Sequence, residues 1–248
     1  DDLIPNLSDN EKLYVYSTFG TNPQYLRFYD KNKDFFINLE SNFLNYNSLF
    51  YDEGMNIIKN DLSDIVTYSS ILYAISLGNR KIGDIASFLN LKSSYLTRYM
   101  QKLVDLMILE KIVPINENPS KSKFGRYEIE DNFLKFWFAF IYPNKVNKKT
   151  IKKEIDDLLL EDSFIKISKN EIEENLKASF GFIPNTFGSW WNNKDIEIDV
   201  VAYNSKEIVF LEYNYKHDDY DKVYTNLVNK SKSFDTTLLK NYIVLPDN

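Results

Sequence analysis

Two neighbouring runs decide the fold: Glu197-Ile198-Asp199-Val200-Val201-Ala202 and Ile208-Val209-Phe210-Leu211-Glu212-Tyr213-Asn214-Tyr215-Lys216. Both are short, rich in β-branched and aromatic residues, and alternate with period two, which predicts strands. Asp199 interrupts the first apolar run and Glu212 ends the second. Two carboxylates on adjacent strand ends suit a divalent cation of the kind that assists phosphodiester hydrolysis. A lysine two residues beyond Glu212 would add a charge to orient water, but that position is Asn214. Lys216 falls on the same strand face, roughly 6.7 Å further along at about 3.3 Å per residue. Glu171, Glu173 and Glu174, on a preceding helical stretch, are candidates for a further metal ligand, Glu171 first among them.

Around this pair the chain reads as helices flanking a small mixed sheet. Trp190-Trp191 leads into the two strands, Tyr220–Phe234 is an amphipathic helix, and Asn241–Pro246 a last strand. Upstream, Asp131–Asn144 reads as an intensely aromatic helix ended by Pro143, and its rings over 133–142, at helical spacing, read as core. Ile151–Leu160 and Lys169–Phe180 are expected to be helices too.

Residues 61–130 have another rhythm. Helices are expected over Ile65–Leu77 and Lys81–Leu89, and a third, capped by Ser93 or Ser94, runs to Met107. A strand over Ile108–Ile115, a polar loop and a returning strand at Arg126–Ile129 complete the pattern of a winged helix-turn-helix. A DNA-reading version would present Ser94, Thr97, Arg98, Gln101 and Lys102 from the third helix, and Lys121, Lys123 and Arg126 from the wing. The same fold also serves as a protein-binding module, and nine basic against eight acidic residues in this segment do not decide between them. Residues 9–60 form a helical unit in which Gly20 stops one helix and Asn22-Pro23 starts the next.

Composition narrows the function classes. With no cysteine and the single histidine His217 among 248 residues, disulfides, thiolate zinc sites and cysteine nucleophiles are excluded, and a Ser-His-Asp triad is disfavoured. Residues 1–150 carry 18 basic and 18 acidic side chains; the remainder carry 12 and 18, which accounts for the net charge of −6. That balance argues against a protein that coats DNA non-specifically. No apolar run approaches the roughly eighteen residues of a membrane-spanning helix, and no signal peptide leads the chain, so a cytoplasmic protein off the membrane is expected. No GxxxxGK[ST] loop is present, so this chain lacks its own phosphate cradle for ATP. The start, Asp1-Asp2-Leu3, lacks an initiator methionine and reads as a fragment.

The order of Phe19-Gly20-Thr21-Asn22-Pro23-Gln24-Tyr25-Leu26, a winged helix, Phe133-Leu134-Lys135-Phe136-Trp137-Phe138, Phe187-Gly188-Ser189-Trp190-Trp191 and the Glu197–Ala202 strand resembles the C-terminal part of the archaeal ATPase family, P-loop enzymes related to AAA+ and STAND proteins that end in the DUF234 domain. The resemblance implies an α+β or α/β multidomain chain: a helical lid remnant over residues 1–60, a winged helix over 61–130, and a PD-(D/E)xK nuclease-like α/β domain over 131–248. It implies Mg²⁺ as cofactor, ATP only through an absent upstream domain, and DNA and that ATPase domain as partners, with a homo-oligomer as a further option. In the nuclease motif Asp199 and Glu212 match the metal-binding acids and Asn214 occupies the lysine position. The expectation is therefore a DNA-binding region with a degenerate nuclease-like domain. Its rivals are a live Mg²⁺-dependent deoxyribonuclease using Asp199, Glu212 and Lys216, and a module that senses a partner for the ATPase.

Overall fold

The computed structural model describes residues 7–60, 62–144, 169–181, 183–194, 196–214 and 218–245. They form a mixed α+β structure with two sheets. They divide into two compact units, one within Asp1–Lys111 and Arg126–Leu159, the other within Ile112–Gly125 and Leu160–Asn248. No described helix is long and apolar enough to cross a membrane.

The first unit opens with α1 (Asp9–Phe19), whose cap Ser8 accepts from the Glu11 amide while Glu11 reaches back to the Ser8 amide. This reciprocal pair satisfies two amides that a helix start otherwise leaves orphaned. Gly20, at φ 69°, ends the helix, and Asn22 caps α2 (Pro23–Leu26) with Pro23 in its first turn. α3 (Phe35–Leu39) runs on into a π-helical stretch, Glu40–Leu44, and α4 (Glu53–Lys59) follows. The aromatic segment is α8 (Asn132–Phe136), which widens into a π-helical turn over Trp137–Ile141 and continues through Tyr142–Asn144. Pro143 thus lies within its last turn rather than ending it. Asp131 caps α8, its Oδ1 accepting from the Leu134 amide at 2.8 Å. Phe133, Phe136, Trp137, Phe138 and Phe140 are all buried, so these rings are core. Phe43 lies 5.1 Å from Phe19 and 5.3 Å from Phe136, centroid to centroid. Trp137 Nε1–H donates to the Phe50 carbonyl at 2.9 Å.

Three helices, α5 (Ile65–Ser76), α6 (Ile82–Phe88) and α7 (Ser93–Asp105), precede the two-stranded sheet of β1 (Leu109–Ile112) and β2 (Arg126–Ile129). That is the element order expected of a winged helix. Two details differ. Ser93 is the first helical residue of α7 rather than its cap: Lys92 stands at the cap and makes no side-chain capping bond. The strand expected to reach Ile115 ends at Ile112, because the chain leaves β1 to join the second unit.

The second unit is a four-stranded sheet in the order β3 (Thr186–Trp191), β4 (Glu197–Tyr203), β5 (Glu207–Tyr213), β6 (Leu239–Leu245). The first three pair antiparallel and β6 runs parallel to β5, so the sheet is mixed as expected. Trp190 and Trp191 belong to β3 itself rather than leading into the strands. One sheet face packs Val200, Ala202, Val209, Leu211 and Ile243 with Leu176 of α9 (Lys169–Phe180). The other packs Ile198, Val201, Ile208, Phe210 and Val244 with Leu227 of α10 (Tyr220–Ser231) and with Phe234. Both faces are therefore covered, which is why β5 reads as a continuous apolar run. The loop between β1 and β2 lies along β3: the Ile115 amide donates to the Ser189 carbonyl at 3.0 Å, and Trp191 Nε1–H to the Phe124 carbonyl at 2.9 Å. Ile151–Leu160 lies outside the described residues.

Candidate active site

Asp199 and Glu212 meet at the end of the β4–β5 pair. The pairing runs regularly from Tyr203↔Ile208 to Val200↔Leu211, and Asp199 and Glu212 are the next residues past that last rung. On its other side β4 is irregular. Trp190 pairs with Ile198 and Gly188 with Val201, so three steps along β4 oppose two along β3. The extra residue makes a bulge around Asp199-Val200, a device that re-aims a side chain where a ladder is interrupted. Asp199 Oδ2 accepts from the Tyr213 amide at 2.9 Å, which fixes the carboxylate against the backbone just beyond Glu212.

Glu212 is buried, with its side chain 12% exposed. Burial, the Asp199 charge and, more weakly, Glu197 push its acid up to about 7. An opposing pull comes from Lys230 in the last turn of α10, whose Nζ donates to Glu212 Oε1 at 2.8 Å. The site thus holds two mutually repelling carboxylates beside one ammonium.

Asn214, at the position where a strand lysine would stand, is 5% exposed and engaged elsewhere. Its Nδ2 donates to the Asp218 carbonyl at 2.8 Å and its Oδ1 accepts from the Asp218 amide at 2.9 Å. The side chain closes the connection from β5 to α10. Lys216 lies outside the described residues. Glu171 lies on α9, but its side chain and that of Glu173 are likewise outside what is described, and Glu174 is exposed. Lys230 is the residue that local reading misses. It stands 18 positions after Glu212, on a helix whose polar face gives no sign of which lysine turns toward the sheet.

Among the described residues no group of three or more His, Cys, Asp or Glu side chains comes together to hold a metal. Mg²⁺ needs no such cage. It keeps several waters and is held by one or two carboxylates plus substrate phosphates. The donor chemistry fits: a cation between Asp199 and Glu212 would relieve the repulsion that raises the Glu212 acid.

Residues 137–228 match the DUF234 family model, described as archaeal and bacterial proteins of unknown function. The DUF234 match starts in the aromatic helix, takes in Asp199, Glu212 and Asn214, and stops at residue 228, short of Lys230. An uncharacterized protein of Methanocaldococcus jannaschii is 34% identical over 190 residues, covering 71% of this chain and 42% of that protein. The chain therefore spans less than half the length of this relative. No solved structure matches the chain.

The residues expected to meet DNA fall in different places. Ser94, Thr97, Arg98 and Gln101 are exposed on one face of α7, with Lys102 exposed beside them, while Leu96, Tyr99, Met100 and Leu103 are buried on the other. The spacing of both sets follows the helical period. Several of the exposed groups are already engaged. Gln101 Nε2 donates to Asp105 Oδ1 at 2.8 Å and Thr97 Oγ1 to the Ser93 carbonyl at 3.1 Å. The Arg98 guanidinium donates to Tyr99 Oη at 2.9 Å and lies 5.2 Å from the Tyr95 ring centroid. Tyr99 in turn donates to Asp64 at 2.8 Å. Lys121 and Lys123 are exposed on the loop that belongs to the second unit. Arg126 is a correction. Its side chain is 6% exposed, so it cannot present its charge to a phosphate as expected of a wing residue.

Proposed function

We propose that the chain is a DNA-engaging region in which helix α7 contacts the duplex and the DUF234 unit acts on phosphodiesters with a divalent cation. The observation that carries this reading is the approach of Asp199 to buried Glu212 past the last β4–β5 rung, with the Tyr213 amide on the one carboxylate and Lys230 on the other. Asp199 and Glu212 would hold Mg²⁺, which when bound supplies Lewis-acid polarisation of a phosphoryl oxygen and of water. Burial of Glu212 keeps solvent from competing for the carboxylate, and the Tyr213 amide holds Asp199 in place. The exposed polar face of α7 supports duplex contact. The upstream P-loop domain with its ATP belongs to the proposal on the resemblance alone, and the greater length of the Methanocaldococcus jannaschii relative accommodates such a domain.

A second reading, a nuclease-like domain that binds without cutting, is favoured by the engagement of Asn214 in loop closure. One titration separates the two. Fluorescence anisotropy of the chain with labelled duplex and single-stranded DNA, with Mg²⁺ and at two salt concentrations, should give submicromolar, salt-sensitive binding whose slope counts neutralised phosphates. A time-dependent fall of anisotropy, absent in Asp199→Asn, supports cleavage. Stable binding without a fall supports the second reading. No binding at low salt overturns both and leaves a partner-sensing module.

A further inference from the structure

We propose that Lys230 is the catalytic cation of this site, delivered by helix α10 in place of the strand lysine that position 214 lacks. The inference rests on the phosphodiesterase reading above and assigns a residue that the DUF234 match does not reach.

Three observations converge on Lys230. Its Nζ lies 2.8 Å from Glu212 Oε1, and its side chain is 36% exposed against 12% for Glu212, so the lysine is the more solvent-accessible member of the pair. The Glu212 bond uses one of the three donors an ammonium carries, and a phosphoryl oxygen would take another. Lys230 stands in the last turn of α10, where the helix end favours a cation. Asn214 cannot take the role, because both ends of its amide bond the Asp218 backbone. That same bridge closes the connection from β5 to α10, the helix that carries Lys230.

The step balances without another reactant. A water oxygen bonds to phosphorus, and the bond from phosphorus to the leaving sugar oxygen breaks. The water proton passes to solvent and the leaving oxygen takes one from solvent. Lys230 keeps its proton throughout and donates a hydrogen bond to a phosphoryl oxygen as negative charge builds there. Preorganised donors aimed at developing charge are worth about 10²–10³ in rate each.

A lysine that only neutralised a buried glutamate would behave otherwise, and the variants Lys230→Met, Lys230→Arg and Asp199→Asn distinguish the cases. Lys232→Met serves as control, since Lys232 is exposed and bonds Asn229. Nicking of supercoiled plasmid in Mg²⁺, Mn²⁺ affinity by electron paramagnetic resonance and thermal unfolding are measured on each. Lys230→Met should lose about 100-fold or more in cleavage, Lys230→Arg should recover part of it, and Lys232→Met should match the unaltered chain. Mn²⁺ affinity in Lys230→Met should hold or rise, because a cation competing for Glu212 is gone. If Lys230→Met still cleaves within about threefold of the unaltered chain, a change far below a lost donor, while Asp199→Asn is inactive, the assignment fails and the phosphodiesterase reading stands. If Lys230→Met loses Mn²⁺ affinity and melting temperature together with cleavage, its role is structural and the assignment again fails. If the unaltered chain binds DNA and cleaves in neither metal, the phosphodiesterase reading falls and the assignment with it.

Discussion

Asn214 shows how one side chain changes the meaning of a motif. Asn and Lys differ in charge, but the structure assigns Asn214 a different task, bridging the Asp218 amide and carbonyl from a site that is 5% exposed. Removing it breaks two hydrogen bonds to the backbone of exposed Asp218, each worth about 0.5–1.5 kcal/mol net. Asn214→Ala should therefore lower unfolding stability by about 2 kcal/mol, measured by urea denaturation with the slope unchanged. An unaltered midpoint would mean that the bridge is dispensable. Arg126 teaches the complementary lesson, since a basic residue beside the loop between β1 and β2 looks available to phosphate until its burial is known.

At the scale of elements, the aromatic helix α8 holds the first unit together through ring contacts that demand space from its neighbours. Gly54 on α4 provides that space. A Cβ there would fall 2.2 Å from the Trp137 ring, and the indole is tethered through its Nε1–H to the Phe50 carbonyl. Helix propensity alone would make Gly54→Ala stabilising by about 1 kcal/mol. Overpacking a rigid ring costs about 1–3 kcal/mol or more, so the clash should win. The expected outcome is a net loss of about 2 kcal/mol with a changed near-ultraviolet signal from tryptophan. A gain in melting temperature would show that α4 shifts freely. Helix α7 is more legible, because its buried and exposed sets alternate with the helical period and can be read without the structure.

For the whole molecule, the unexpected feature is that the loop between β1 and β2 belongs to the second unit. Ile115 packs on the core cluster that contains Trp190 and Phe234, sits over Gly188, and donates its amide to Ser189. The loop thereby covers part of the β3 edge, which would otherwise offer unpaired groups to another chain. Ile115→Asp should expose that edge, detected as faster hydrogen exchange of the β3 amides and greater aggregation on warming. Unchanged β3 exchange would show that the loop contact is not protective.

The sequence by itself determined the local elements: short β-branched and aromatic strands bearing Asp199 and Glu212, though their burial on both faces is continuous rather than period-two, helical stripes in α5 to α8, and caps such as Asn22 with Pro23. These follow from interactions within a few residues, which spacing and residue type disclose. Only the tertiary structure decided that the β4–β5 register brings Asp199 and Glu212 together one step past its last rung, that Asn214 bridges to Asp218, that the loop between β1 and β2 lines β3, and that Lys230 meets Glu212 across 18 positions. Each of these depends on how helices cross sheets and where a ladder slips by one residue, and side chains far apart in sequence become partners only once the apolar faces are buried against one another.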